Sequence, residues 1–345
     1  MCINVRKSFA RVVCAALCLV MLAGCGGADS AATEAKESVF LDAVVMEEAE
    51  IEDEAVALSE APTAASAAAP TEDTAAAATG VLAAEATGEK TKTSSRSVID
   101  YSNTDDGYVM VNFTGTTTKR LKVQVVGPTS TYTYNLTPGV WTVFPLSDGN
   151  GAYQVKIFEN VTGNKYSLES AASLNATLKD EFAPFIRPNQ YVNYTAESEA
   201  VAKAAELTQD KTDPLEKVGV IYNYVINHIT YDRAKAATVT SGYLPDLDQV
   251  LESKKGICFD YAALMTGMLR SQGVPCKLVI GYAGTAYHAW ISVWVEGVGW
   301  VENVVYFDGT TWQRMDPTFA STGGQSEKIM AYIGDGQNYS AKYLY

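Results

Sequence analysis

The segment with most chemical potential is Lys255-Gly256-Ile257-Cys258-Phe259-Asp260-Tyr261-Ala262, in which a cysteine stands at the start of a predicted helix. A helix N-terminus supplies unpaired N–H groups and the positive end of the helix dipole, and both favour a thiolate over a thiol. The same N–H groups could steady an oxyanion during acyl transfer. Gly256 permits the close backbone approach that such a turn needs. Cys258 is therefore a candidate nucleophile.

A nucleophilic cysteine needs a base, and the chain contains only two histidines. His288 is predicted on a strand that follows the Cys258 helix, and Asp316 ends the next predicted strand. Neighbouring strands could place His288 beside Asp316, facing the start of the helix. We interpret Cys258 as nucleophile, His288 as base and Asp316 as the acid that orients the imidazole. His228 lies on a predicted helix and is interpreted as a surface or satisfied core residue.

The roles of three nearby side chains can each be interpreted in more than one way. Trp290 lies two positions beyond His288, hence on the same strand face, and either walls a substrate-binding site or simply packs. Asp260, in the first helical turn, is expected to support the dipole or a local hydrogen bond. Cys276 opens a predicted core strand, where a free cysteine packs as a small hydrophobe; a Cys258–Cys276 disulfide is the alternative and would silence the site.

In the part of the chain that carries these residues, predicted helices come before predicted strands. Helices are predicted over 198–207, 214–228, 247–253 and 258–272, and strands over 276–282, 286–295 and 311–315. The predicted N-caps are Ser198, Asp213 and Asp246. Helices followed by hairpin-linked strands indicate an α+β domain.

The segment that precedes these helices has a different pattern of apolar residues. Short apolar or alternating runs are predicted as strands over 108–113, 121–126, 132–136, 141–144 and 153–158, with Gly-, Pro-, Asn- and Asp-rich turns between them. This spacing is typical of a β-sandwich. Its many tyrosines are read as half-buried core and surface residues, with a carbohydrate-binding face as the alternative.

The N-terminal 97 residues are predicted to lack a packed core. A positive start and a short apolar run end in Leu22-Ala23-Gly24-Cys25, which looks like a bacterial lipobox, so we expect residues 1–24 to be a signal peptide and Cys25 to be lipidated. An ordinary signal peptide with an incidental cysteine is the alternative. Residues 25–97, rich in Ala, Glu and Thr, are predicted to be a disordered linker. Most of the net charge of −14 lies there, so it gives no hint of substrate, and nucleic acid is not an expected partner.

The order Gly-Ile-Cys-Phe-Asp-Tyr-Ala, then His-Ala-Trp, then Met-Asp-Pro-Thr resembles the core of the transglutaminase-like superfamily over about residues 198–320. That resemblance implies a papain-like Cys-His-Asp site on an α+β fold, with Cys258, His288 and Asp316 in the three roles. The segments 229–232 and 242–245 also look like features of bacterial members. Nothing resembles the calcium sites of animal transglutaminases, and no metal or cofactor is expected.

These observations predict four segments: signal peptide (1–24), disordered linker (25–97), immunoglobulin-like all-β sandwich (98–185) and transglutaminase-like α+β catalytic domain (186–345). The expected protein is a lipid-anchored, extracytoplasmic cysteine peptidase or amidase acting on a protein or peptide of the cell envelope. A cross-linking transglutaminase begins from the same thioester and is the first alternative. A non-catalytic binding or scaffold lipoprotein is the second.

Overall fold

The computed structural model describes residues 80–240, 242–297, 299–301, 305–307, 312–314 and 339–345. The predicted signal peptide, Cys25 and most of the predicted linker lie outside these ranges, and so does Asp316. Among the described residues, no helix combines the length and the apolar character that a membrane span requires.

Within the described part of the chain, eight strands precede the helices and form two antiparallel sheets. They are β1 (Thr91–Thr93), β2 (Ser97–Asp100), β3 (Tyr108–Phe113), β4 (Leu121–Val126), β5 (Thr131–Leu136), β6 (Thr142–Pro145), β7 (Gly151–Thr162) and β8 (Lys165–Ala176). One sheet has the order β1-β2-β3-β6 and the other β5-β4-β7-β8. The five strands predicted here are present, with ends that shift by a few residues. The immunoglobulin-like type of this region stays a prediction.

Alternation along the strands explains how the two sheets share a core. In β4, Val123 and Val125 are fully buried, whereas Gln124 between them is partly exposed. Because successive side chains point to opposite faces, one face of each sheet is apolar. Tyr134 of β5 meets Phe144 of β6 across the sheets, with ring centroids 4.9 Å apart. The apolar faces therefore pack on one another.

The predicted linker ends earlier than expected. Strand β1 falls inside residues 25–97, and pairs with β2 in the register Thr91↔Asp100. Val81, also in the predicted linker, is buried. The prediction of disorder up to residue 97 is wrong for this stretch, because a polar strand such as Thr91–Thr93 is stabilised by main-chain pairing that composition does not register.

A 3₁₀ turn at Ala183–Phe185 leads to the helices. These are α1 (Glu199–Thr208), α2 (Pro214–His228), α3 (Arg233–Thr238), α4 (Leu247–Ser253) and α5 (Cys258–Ser271). Asp213 and Asp246 cap α2 and α4 as predicted, accepting from the main-chain N–H of Leu215 and Gln249 respectively. Ser198 starts α1, but its hydroxyl accepts from Thr195 N–H instead.

The remaining strands are β9 (Thr230–Tyr231), β10 (Lys255–Gly256), β11 (Cys276–Ala283), β12 (Ala286–Val295), β13 (Gly299–Val301), β14 (Val305–Phe307), β15 (Trp312–Arg314) and β16 (Tyr339–Leu344). Strands β13-β12-β11-β16 form an antiparallel sheet; β9 pairs with β10 in parallel, and β14 with β15 antiparallel. Helix α5 is buried along its whole length and packs against β11 and β12. Helices on an antiparallel sheet confirm the predicted α+β class.

Candidate active site

Cys258 is the first residue of α5, and its position is set by the strand that precedes it. Strand β10 pairs in parallel with β9, in the register Lys255↔Thr230 and Gly256↔Tyr231. The main-chain N–H of Asp232 also donates to Gly256 O at 2.9 Å. The segment 229–232, singled out from the sequence, thus holds the turn that carries Cys258. Cys258 itself is only 1% exposed.

Asp260 closes this turn from the helix side. Its Oδ2 accepts from the main-chain N–H of Ile257 at 2.8 Å, which confirms the predicted local hydrogen bond. A Cβ on Gly256 would lie 2.6 Å from Asp260 Cβ, a distance that real Cβ atoms do not reach. Residue 256 must therefore be glycine for the carboxylate to sit where it does.

Two further donors reach Asp260 from outside α5, and sequence reasoning missed both. Lys235 Nζ of α3 lies 2.7 Å from Asp260 Oδ2, and the Tyr243 hydroxyl donates to Oδ1 at 2.5 Å. Lys235 Nζ also donates to the Tyr243 hydroxyl oxygen at 2.5 Å. Burial, followed by the Asp260 charge, raises the pKa of Tyr243, which keeps its phenol protonated. The sequence signal that pointed towards this cluster was Tyr243, which lies in the segment 242–245 singled out from the sequence.

Two other tyrosines surround the same turn. Tyr261 donates from its hydroxyl to Ile229 O at 2.6 Å, which ties α5 to the start of β9. Burial, then the proximity of Cys258, raises the pKa of Tyr231. The start of α5 is therefore enclosed by phenol groups that stay neutral near physiological pH.

His288 lies on β12, opposite Gly281 of β11, and is 3% exposed. A small pocket is lined by Cys258, Phe259, Ile280, Tyr287, His288 and Ala289. The structure therefore brings the candidate nucleophile and the candidate base to one mainly apolar pocket. Asp316, the third predicted member, lies outside the residues that the structure describes.

Trp290 is buried next to His288 on the same strand. The two rings are inclined by 22° with centroids 6.4 Å apart, and Tyr339 of β16 meets Trp290 edge-on at 5.1 Å. Trp290 is 1% exposed, so it contributes packing beside the imidazole. Its predicted role in substrate binding stays a prediction.

Cys276 is not paired with Cys258, since both thiols are free. It lies at the start of β11, opposite Val293, and its sulfur contacts Thr266 Oγ1 at 3.6 Å. Burial raises the pKa of the Cys276 thiol to about 12. The alternative of a silencing disulfide is wrong, and Cys276 packs as the small hydrophobe predicted.

His228 ends α2, where its ring stacks on Tyr224 and Nδ1 lies 2.9 Å from Tyr224 O. It is exposed, as the surface interpretation predicted. Within the described ranges, no three His, Cys, Asp or Glu side chains are grouped so as to hold a metal ion.

Residues 201–317 match the model of the transglutaminase-like superfamily. Over 115 residues the chain is 33% identical to the human kyphoscoliosis peptidase, a match that covers 30% of this chain and 17% of that protein. It is 30% identical over 118 residues to the uncharacterized protein YebA of Bacillus subtilis, covering 28% of this chain and 16% of YebA. A protein-glutamine gamma-glutamyltransferase of Pseudomonas aeruginosa is 29% identical over 118 residues, covering 30% of this chain and 17% of the transferase.

The match thus spans about a sixth of each of these relatives. The family model begins at the third residue of α1 and covers α2 to α5 and both candidate residues that line the pocket. The model extends to residue 317 and so also includes Asp316. Residues 201–317 of this chain are a transglutaminase-like superfamily domain.

Proposed function

We propose that this protein is a thiol acyl-transfer enzyme that cleaves an amide bond of a protein or peptide through a Cys258 thioester. The observation that carries the proposal is the shared pocket. Cys258, at the N-terminus of a buried helix, and His288, on the neighbouring sheet, line it together. A nucleophile and a base at one pocket, inside a transglutaminase-like domain, supply the two groups that the reaction needs.

The reaction follows from the chemistry of these groups. His288 takes the proton of the Cys258 thiol, and the thiolate attacks the amide carbonyl carbon. The N–H groups at the start of α5 stabilise the oxyanion. The C–N bond then breaks as the imidazolium donates its proton to the leaving amine. Asp316, in this proposal, orients the imidazole as in other triads.

The thioester can be resolved in two ways. Water attack, with His288 taking its proton, releases a carboxylate and regenerates the thiol; this makes the protein a cysteine peptidase or amidase. Attack by an amine releases a new amide and makes it a cross-linker. One relative is named as a peptidase and another as a glutamyltransferase. We favour hydrolysis, with transamidation as the second candidate.

The proposal includes a place for the enzyme. Lipidation of Cys25 would anchor the chain to the outer face of the cell membrane, with the acidic segment as a spacer. The substrate would then be a protein or peptide of the envelope. Metabolic labelling with a fatty-acid analogue tests this part: label should appear in the wild type and be lost in Cys25→Ala.

The activity is tested with envelope proteins incubated in ¹⁸O-water together with a labelled primary amine. Hydrolysis adds one ¹⁸O to each new carboxylate, whereas transamidation incorporates the amine. We expect ¹⁸O-labelled fragments with the wild type, none with Cys258→Ala or His288→Ala, and wild-type products with the matched thiol control Cys276→Ala. Amine incorporation instead would assign the cross-linking alternative.

The binding or scaffold alternative has its own signature. Iodoacetamide should modify Cys258 near neutral pH faster than an ordinary exposed thiol. A Cys258 that reacts no faster than such a thiol, with neither ¹⁸O nor amine incorporated, would overturn the enzymatic proposal in favour of a binding role.

A further inference from the structure

Asp260 is the only carboxylate in α5, stands two residues after the candidate nucleophile, and is fully buried. Its three donors come from three separate parts of the chain: Ile257 N–H at 2.8 Å, Lys235 Nζ at 2.7 Å and the Tyr243 hydroxyl at 2.5 Å. A carboxylate taken out of water needs such partners, and removal of one of them is costly. The cluster is a built feature of the nucleophile turn.

The cluster has an electrostatic consequence for Cys258. A like charge nearby disfavours ionisation, and an opposite charge favours it. A negative Asp260 within the same helical turn would therefore oppose a thiolate at Cys258. Lys235 brings the opposite charge to the same carboxylate, and its side chain is only 27% exposed. The pair, with Asp260 buried and Lys235 partly exposed, is close to neutral as a unit.

Lys235 is itself held in place. Its Nζ donates to the Tyr243 hydroxyl at 2.5 Å and lies 4.3 Å from the centroid of the Tyr243 ring. Its main-chain N–H donates to Asp232 Oδ1 at 2.9 Å, the N-cap of α3. The ammonium group therefore meets Asp260 in one defined arrangement, in contrast to a surface pair whose side chains move freely.

We propose that Lys235, Asp260 and Tyr243 form a charge-compensated positioning cluster, in which Asp260 fixes the turn before Cys258 and Lys235 cancels the carboxylate's opposition to the thiolate. The inference rests on the proposed function, since it assigns these residues to the same nucleophile. Among the residues that the structure describes, the other titratable or charged groups near Cys258 or its neighbour Tyr231 are Tyr231 itself on β9, Arg233 of α3, Tyr261 of α5, and Tyr287 and His288 of β12. All of them stay constant in the test below.

The test measures the rate of Cys258 carboxamidomethylation by iodoacetamide from pH 5 to pH 9, by peptide mass spectrometry. Lys235→Met should raise the pH midpoint of the reaction by about one unit, a tenfold loss of rate below the midpoint. Asp260→Asn keeps an oxygen for Ile257 N–H but removes the charge, and should lower the midpoint. The double variant should return close to the wild type, and Lys235→Arg should resemble the wild type.

Opposite shifts that cancel in the double variant are the readout that a merely structural role would not produce. Lys203→Met, which removes the surface partner of Glu206 on α1, is the matched control and should leave the midpoint unchanged. Midpoints that move in the same direction, or add in the double variant, would overturn the inference. Should Lys235→Met fail to fold, the wild type, Asp260→Asn and Lys235→Arg decide: a midpoint for Asp260→Asn at or above that of the wild type overturns it.

The same experiment separates the two proposals. A wild-type Cys258 that reacts like an ordinary thiol, with neither ¹⁸O nor amine incorporated in the product assay, defeats the proposed function. A reactive wild-type Cys258 whose midpoint is the same in Lys235→Met as in Lys203→Met defeats only the cluster. Cys276, buried and with its pKa raised by burial, serves as the internal reference that should stay unmodified in every folded sample.

Discussion

Lys122 illustrates how burial controls a single charged side chain. It lies on β4 among polar, outward-facing residues, yet it is only 7% exposed, and its Nζ donates to Asn135 Oδ1 at 2.5 Å. Burial, with a smaller effect from the charge of Arg120, lowers the pKa of Lys122 from 10.5 to about 8. The folded state therefore holds this proton less tightly than the unfolded chain does.

The consequence is a pH dependence of stability with a defined sign. Between pH 8 and pH 10.5 the unfolded chain keeps the Lys122 proton that the folded state has released, so stability rises with pH. We expect the wild type to gain up to about 3 kcal/mol relative to Lys122→Met across this window. Urea unfolding at pH 7.5 and pH 10 measures the difference. The exposed neighbour Lys119→Met should show no such change; an equal difference at both pH values for Lys122→Met would contradict the expectation.

At this scale the sequence predicts some site residues and not others. Cys258 and His288 are recognisable because their types and order already restrict the chemistry, and the structure places both at one pocket. Lys235 and Tyr243 are not recognisable, because their contacts with Asp260 exist only after α3 and the following loop have folded over α5. In the sequence alone, a lysine such as Lys235 cannot be distinguished from a lysine on the solvated surface.

The geometry at the start of α5 depends on the absence of a Cβ at Gly256. We expect Gly256→Ala to cost about 1–3 kcal/mol, a typical figure for overpacking, because its Cβ would lie 2.6 Å from Asp260 Cβ. The variant should also slow alkylation of Cys258, since Ile257 N–H loses its acceptor. Thermal unfolding and the iodoacetamide rate measure the two effects. The control is Lys255→Ala, at the exposed residue that precedes Gly256. Equal stability of Gly256→Ala and Lys255→Ala would contradict the expectation.

The elements that carry strong local signals are the ones that sequence predicts best. Helix α2 and helix α4 have the predicted bounds, and their aspartate caps form as expected. Elements with weak local signals were missed. Strand β9 has two residues and exists only because β10 lies beside it. Strand β8 was missed because half of its side chains are exposed and all of these except Leu168 are polar or small, so its apolar signal is weak.

Arg270 joins distant parts of the whole molecule. Its buried guanidinium donates to the main-chain oxygens of Cys276, Arg187 and Tyr345 at 2.8, 2.8 and 2.6 Å. Tyr345 in turn packs among aromatic rings, stacking on Tyr191 at 3.8 Å and meeting Tyr134 of β5 edge-on. One buried core runs from strands β2–β8 to the helices and the sheet that contains β11 and β12.

Because the core is continuous, we expect the described parts to unfold together. Arg270→Met should lower stability by about 3 kcal/mol or more, since three main-chain oxygens lose the hydrogen bond that the guanidinium donates to them. Tryptophan fluorescence and far-UV circular dichroism should report one coincident transition in both proteins. Lys211→Met, on the surface, should leave the midpoint unchanged. Two separate transitions would show that the strand region and the helices unfold independently.

The turn before Cys258 is assembled from segments 229–232, 235, 243 and 254–260. Isolated helices form within about a microsecond, but this turn must wait until four stretches of chain have met. If Cys258 is the nucleophile, its chemistry is therefore latent in a chain that is still folding and begins only when the fold is complete. The reactivity of this thiol would therefore report on the last step of folding, and pulses of iodoacetamide during refolding would measure when that step occurs.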